Sequence, residues 1–167
     1  DSRYIWDLAA IGDSSVALAT GTEGRLLLVD LAKAADAGPK APEPAEDVEE
    51  AEPAEGDAPA KPGEEAEDMP FVHPHPAVTV LLDASQPNLL CLSMDGKGRL
   101  YTGTDADGLI YRVTLDANGK AGETFVLFDA QEPEIGAMLV LDVGTVYAGT
   151  TDANQARRVF FNDAAAT

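Results

Sequence analysis

The sequence predicts an all-β chain made of about three copies of one four-stranded antiparallel unit. Three observations carry this. Part of the chain repeats itself without a gap at a spacing of 46 residues. Each copy is divided into short runs rich in β-branched and aromatic residues by turns of Asp, Asn and Gly. Outside one acidic segment, no window sustains a helical period in good helix formers.

The repeat sets the order in which elements are assigned. Residues 80–104 (VLLDASQPNLLCLSMDGKGRLYTGT) align with residues 126–150 (VLFDAQEPEIGAMLVLDVGTVYAGT), and nine of 25 positions are identical. The identities include Asp83/Asp129, Pro87/Pro133, Gly98/Gly144, Tyr101/Tyr147 and Gly103/Gly149. Gly108 falls opposite Asn154, and both residue types tolerate a left-handed backbone. An earlier copy is marked by Leu18-Ala19-Thr20-Gly21-Thr22, which matches Leu100-Tyr101-Thr102-Gly103-Thr104.

The first copy takes residues 4–32 and 77–83. Its first strand carries Trp6 and Asp7, its second ends on Gly21-Thr22, its third ends at Leu31, and its fourth is Val78–Asp83. Gly21 and Gly103 stand 82 residues apart, 36 more than one repeat. The turn after Gly-Thr is two residues shorter in the first copy, so 38 residues are extra, and residues 33–70 number 38. Of these, 26 are Ala, Pro or Glu, seven are proline, and 13 acidic residues face three lysines. Such a stretch buries too little apolar surface to offset the entropy of ordering it. Residues 33–70 therefore read as a disordered acidic insertion, a solvated tether, with a docking arm for a basic partner as the alternative.

The second copy takes residues 89–129, with strands at 89–94, 99–104, 109–115 and 123–129. Asp95-Gly96-Lys97-Gly98, Asp105-Ala106-Asp107-Gly108 and Asp116-Ala117-Asn118-Gly119 separate them, with glycine where a positive φ is wanted. The third copy, residues 135–162, is incomplete. Adding 46 to the second copy's fourth strand, 123–129, places the third copy's at about 169–175, beyond Thr167. The chain thus reads as a fragment, with the missing blades of its parent chain as partners. A four-stranded unit of about 40–50 residues in tandem is the signature of a β-propeller blade, which makes the expected fold a partial β-propeller.

Leu100-Tyr101-Thr102-Gly103-Thr104, a turn, and then Gly108-Leu109-Ile110-Tyr111-Arg112-Val113 resemble bacterial β-propeller repeats of the two-component-regulator sensor and WD40-like kinds. The resemblance covers nearly all the chain except the acidic insertion. It implies a propeller fold and a binding, scaffolding or sensing role. The WD40 Trp-Asp dipeptide is absent from the third strand; Trp6-Asp7 lies in a first strand instead. Ser93-Met94-Asp95-Gly96-Lys97-Gly98 is similar to an Asp-box, but its glycine spacing and its turn are both wrong for a sialidase.

Charge excludes some functions. With 30 acidic and 11 basic residues the net charge is −19, which opposes binding to nucleic acid or to anionic lipid. No apolar run approaches the ~20 residues that span a bilayer. Cys91 is the only cysteine, so neither an internal disulfide nor a cysteine-rich metal site can form.

Candidate chemistry is sparse. His73 and His75, in His73-Pro74-His75-Pro76, could put two imidazoles on one side of an extended chain, but two ligands make a poor metal site. The proline-held loop exit is the plainer reading. Asp105-x-Asp107-Gly108 and Asp116-x-Asn118-Gly119 are similar to pieces of calcium loops yet lack the closing acidic residue, and read as turns. Cys91, on a first strand, reads as an inert buried thiol, and Trp6, on another, as core. Propeller enzymes of the lactonase or lyase sort set carboxylates, Asn or His on inner strands around a metal. Here Asp7 is the only charged residue well inside a first strand.

The expected function is therefore a non-catalytic binding or scaffolding module that needs no metal or other cofactor. A sensor ectodomain and a metal-dependent propeller hydrolase or lyase are the alternatives. Loops from fourth strands to the next first strands (84–88, 130–134) and from second to third strands (105–108, 151–154) converge on one face of a propeller. The ligand-face candidates are Thr104, Asp105, Asp107, Thr150, Asp152 and Asn154, and the ligand is a protein or small molecule the sequence does not name. The threonines have a second reading, as hydroxyls that cap the adjacent turn.

Overall fold

A computed structural model describes residues 4–37, 71–116, 118–142, 145–150 and 156–160. Eleven strands and one short helix are formed among them. The first sheet holds β1 (Tyr4–Ile11), β2 (Ser15–Gly21), β3 (Arg25–Asp30) and β4 (Val78–Asp83) in that order. The second holds β5 (Leu89–Met94), β6 (Leu100–Thr104), β7 (Leu109–Leu115) and β8 (Ala121–Asp129), again in sequence order. The third sheet pairs β9 (Ile135–Asp142), β10 (Thr145–Thr150) and β11 (Ala156–Phe160). Every pairing is antiparallel. The all-β class and the four-stranded antiparallel sheets are as expected.

The sheets meet face to face. Ala17, Ala19, Leu26, Leu28 and Leu81 of the first sheet pack on Leu89, Leu92, Leu100 and Val113 of the second. Cys91 and Ile110, on the other side of the second sheet, pack on Ile135 and Ala148 of the third. Period-two alternation explains how one strand serves both contacts: Cys91 and Leu92 are neighbours and point to opposite faces. Burying a side chain such as Leu100 or Ile110 contributes about 1.5–3 kcal/mol, so these two layers supply most of the apolar driving force. Along the seam, β5 lies against β1 and β2 on one side and β9 on the other.

The steps between sheets are built alike. Ala84 N–H donates to Gly24 O (2.9 Å), and 46 residues on, Ala130 N–H donates to Gly108 O (3.1 Å). A Cβ on Gly24 would collide with the Gln86 carbonyl oxygen, and one on Gly108 with the Glu132 carbonyl oxygen. Gln86 and Glu132 are again 46 apart. Each step thus needs a glycine where the connecting backbone closes in. Gly98, Gly108 and Gly119 take φ of 77°, 61° and 73°, the left-handed turns their spacing predicts.

Two expectations need correction. Residues 33–70 were expected to leave the fold as extended chain. Order instead continues into helix α1 (Leu31–Ala37). Asp30 acts as its N-cap, with Oδ1 accepting from Lys33 N–H (3.1 Å), while Lys33 Nζ lies 3.1 Å from Oδ2. Proline begins only at Pro39, so one Ala-rich turn can form first. The rest of that insertion lies outside the described residues. Trp6, expected in the core, is 49% exposed. It occupies the irregular position between Ile5 and Asp7 in the β1–β2 pairing, which turns it out of the alternation.

Candidate functional site

Of the four loops expected to share a face, 84–88, 105–108 and 130–134 come together, and 151–154 lies outside the described residues. Asp105 lies across from Asn88: Oδ1 accepts from the Asn88 N–H (3.0 Å), Oδ2 accepts from the Asn88 amide, and Asp105 N–H donates to Asn88 O (3.2 Å). Asp107 Oδ2 accepts from Gln86 Nε2 (2.8 Å), and Gln86 Oε1 accepts from the Tyr111 hydroxyl (3.0 Å). Loop 84–88 is thus stitched to loop 105–108 by side chains from both. Trp6 extends the cluster to β1, with Nε1–H donating to Asn88 Oδ1 (3.1 Å). Tyr4 sits beside the indole, ring centroids 5.7 Å apart.

Thr104 is fully buried, and its Oγ1 accepts from Leu109 N–H (2.9 Å), the turn-capping role. Asp105 and Asp107 hold the neighbouring loop. Thr150 ends β10 opposite Ile135, in the third sheet. Asp152 and Asn154 lie outside the described residues. Asn88, Gln86, Tyr111 and Trp6 complete the cluster and were not marked by the sequence as site residues. Their signal was weak: polar residues on a connecting loop are ordinary, and only the fold brings them within reach of Asp105 and Asp107.

Burial holds the Tyr111 hydroxyl above its ordinary pKa, so the phenol stays protonated and able to donate. The aromatic pair of Tyr4 and Trp6 is the apolar part of this face, and the Asn88–Asp105 and Gln86–Asp107 pairs are its rigid polar part. Such a surface can recognise a partner by stacking and hydrogen bonding. Asp7 contributes elsewhere: Oδ1 accepts from Leu8 N–H and Oδ2 from Leu92 N–H, both at 2.8 Å. The one carboxylate set well inside a first strand thus ties β1 to β5.

The opposite turns hold a different carboxylate. Asp95 Oδ1 accepts from Lys97 N–H (2.8 Å) and Arg99 N–H (3.0 Å), and Oδ2 from Arg99 Nε (2.7 Å) and the Tyr101 hydroxyl (2.9 Å). Burial opposes its ionisation, but these donors together outweigh that and hold the carboxyl below its ordinary range. The same setting, burial first and then the Asp95 carboxylate, pushes the Tyr101 phenol up to about 12.

Cys91 is inert: burial pushes its thiol up to about 11, and Sγ donates to Ile135 O (3.3 Å). His73 Nδ1 accepts from His75 N–H (3.1 Å) and His75 Nδ1 from Ala77 N–H (3.2 Å). Both rings therefore brace their own segment of chain. Burial, then the neighbouring His75 charge, lowers the His73 pKa and favours this neutral accepting form. Among the described residues no three of His, Cys, Asp and Glu gather as a metal site, and no helix is long and apolar enough to cross a membrane. The chain matches no protein-family model, no curated protein and no solved structure.

Proposed function

We propose that this chain is an arc of a β-propeller acting as a non-catalytic binding or scaffolding module. The supporting observation is the stepwise packing: meander sheets stacked face to face, with β1, β5 and β9 side by side and equivalent glycine-mediated steps between them. This is how propeller blades follow one another around an axis. The recognition face is the one on which loops 84–88, 105–108 and 130–134 meet, with Tyr4 and Trp6 at its edge. Its acidic side chains brace loops, so they serve to shape a surface. Recognition residues carried on loops over a rigid scaffold are the usual arrangement for binding modules.

Hydrogen exchange tests the face once a partner is captured. Protection should fall on loops 84–88, 105–108 and 130–134, and Trp6→Ala should weaken binding about tenfold or more. Protection confined to turns 95–98 and 116–119 would overturn the assignment. The hydrolase or lyase reading is tested separately, by assaying the chain on lactones and esters with added divalent metal. Turnover that Asp7→Asn abolishes, in a variant that still melts cooperatively, would replace the binding reading with the enzymatic one.

A further inference from the structure

Residues 71–76, Phe71-Val72-His73-Pro74-His75-Pro76, join the acidic insertion to β4. The Arg25 guanidinium carbon lies 3.6 Å from the centroid of the Phe71 ring. Ala77 O accepts from Asp30 N–H (2.9 Å). Arg25 and Asp30 are the two ends of β3, so residues 71–77 run back along that strand. They do so on the outer side of the first sheet. Leu26 and Ala19 pack on the second sheet, so their neighbours Leu27, Leu18 and Thr20 face the other way. Leu27 and Thr20 are nonetheless only 8% and 1% exposed. Phe71, His73 and Pro74 border them across a cavity of about 400 Å³. The segment is a strap that covers part of the sheet with the chain's own residues.

Few groups hold the strap. Pro74 and Pro76 carry no N–H, so the backbone donors from residue 74 to residue 77 are those of His75 and Ala77. Both go to imidazoles: His75 N–H to His73 Nδ1 (3.1 Å), and Ala77 N–H to His75 Nδ1 (3.2 Å). Ala77 is buried, so leaving its N–H unpaired is costly. An imidazole accepts at Nδ1 only while that nitrogen is unprotonated, and an imidazolium donates from both nitrogens. A proton on either ring therefore breaks one of these bonds and sets N–H against N–H. Charges near His73 act in the same direction. On the strap it meets His75, and from β3 it meets Arg25, whose guanidinium is fixed by Glu23 and by Asp83 (3.2 Å). From β1 and β2 the cavity is lined by Ile5, Leu18 and Thr20, which carry no charge. Burial first, and then the charges of His75 and Arg25, hold the His73 pKa below its ordinary 6.5.

We propose that residues 71–76 are a pH-sensitive strap, closed over the outer face of the first sheet while His73 and His75 are neutral and released when they are protonated. A released His73 takes up its proton at the ordinary value of 6.5, and a closed one only at lower pH. Closure is therefore undiminished above 6.5 and weakens as the pH falls below it, until the closed form is protonated as well. Release bares Leu18 and Leu27, so the sheet shows in acid an apolar surface that it covers at neutral pH. The strap belongs to the first sheet and is independent of the loop face.

Amide hydrogen exchange of the full chain tests this at His75 and Ala77, with each rate compared to that of an unstructured peptide at the same pH. Protection of both amides should fall about tenfold or more between about pH 7.5 and about pH 5, while strand amides of β2 and β3 keep theirs. The variant carrying both His73→Asn and His75→Asn supplies the contrast. An Asn Oδ1 reaches the same N–H two residues on and does not titrate. That variant should stay protected across the whole range. Wild-type protection that does not change with pH would overturn the proposal. So would a double variant that loses protection in acid as the wild type does, because release would then belong to carboxylates such as Glu23 and Asp83 and not to the imidazoles.

Discussion

Leu100 and Leu18 hold one place in two copies of the same five-residue pattern, and they meet different surroundings. Leu100, in the second sheet, is enclosed by Leu26, Leu28 and the neighbours they bring. Leu18, in the first, borders an open cavity. The second sheet has a sheet against each face, whereas the first has a sheet against one face and only Phe71, His73 and Pro74 near the other. Stability in a stacked array is shared between a unit and its neighbours, so a repeated residue has no fixed worth. What it contributes depends on whether the next sheet is in place.

Three pairs of substitutions sharpen this comparison. Leu100→Ala leaves a cavity between two sheets and should cost about 3 kcal/mol in denaturant unfolding. Leu18→Ala should cost about 1 kcal/mol or less, because its side chain already borders open space. Equal costs at the two sites would show that the cavity at Leu18 closes in solution.

Turns give the second pair. Asp95 and Asp116 make the same backbone pattern: each accepts through Oδ1 from the N–H groups two and four residues on, and each N–H donates to the carbonyl four residues on. Only Asp95 is buried, with Arg99 and Tyr101 on its second oxygen. Asp95→Ala should cost about 3 kcal/mol, since it removes four hydrogen bonds at once, two of them from the largely buried Arg99 and Tyr101 side chains. Asp116→Ala should cost clearly less. The Asp95 contribution has a pH signature. Its folded pKa is depressed, so its stabilisation is complete above the ordinary value of 3.8 and is lost as pH falls through the depressed one. The stability gap between wild type and Asp95→Ala should therefore be constant at neutral pH and close in strong acid. A gap that persists there would mean that packing, and not ionisation, carries the effect.

The third pair is Gly103 and Gly149, 46 residues apart. A Cβ on Gly103 would stand 2.8 Å from Cys91 Sγ and would press on Ile135, whereas one on Gly149 would meet Ala137 Cβ at an ordinary 3.5 Å. Gly103→Ala should destabilise by about 2 kcal/mol and Gly149→Ala by no more than about 0.5 kcal/mol. Near-equal melting temperatures for the two variants would contradict the packing of the third sheet on the second. The smallest effect is expected at Ala106, which holds a positive φ of 67° in the turn joining β6 to β7. Ala106→Gly should gain about 0.5–1 kcal/mol by relieving that backbone conformation. A loss would show that the unfolded-state entropy of glycine outweighs the relief.

Much of the fold was legible because the repeat is written in local rules. Strands alternate with a period of two, and Asp and Gly mark turns by their own backbone preferences. The bounds Leu89–Met94, Leu109–Leu115 and Val78–Asp83 are those read from the residues alone. The start of the acidic segment was not legible in this way. Its overall composition argued for extended chain, while a single capping contact from Asp30 settles the first turn as helix.

The candidate site divides along the same line. Thr104, Asp105 and Asp107 were visible as turn residues on a shared face, and turn chemistry places them there whatever the rest of the chain does. Asn88 and Gln86 reach them from 17 and 21 residues away in sequence, and Trp6 joins through Asn88 from 82 residues away, and no local preference reports such a meeting. The burial of Asp95 and the exposure of Trp6 belong to the same class. The amino-acid order by itself determined which segments are strands, where they turn and how often the unit recurs, because those depend on forces between near neighbours. Tertiary structure alone decided which copy of a repeated residue is enclosed, which carboxylate is held ionised and which apolar face is left uncovered, because each depends on whether another sheet lies against it.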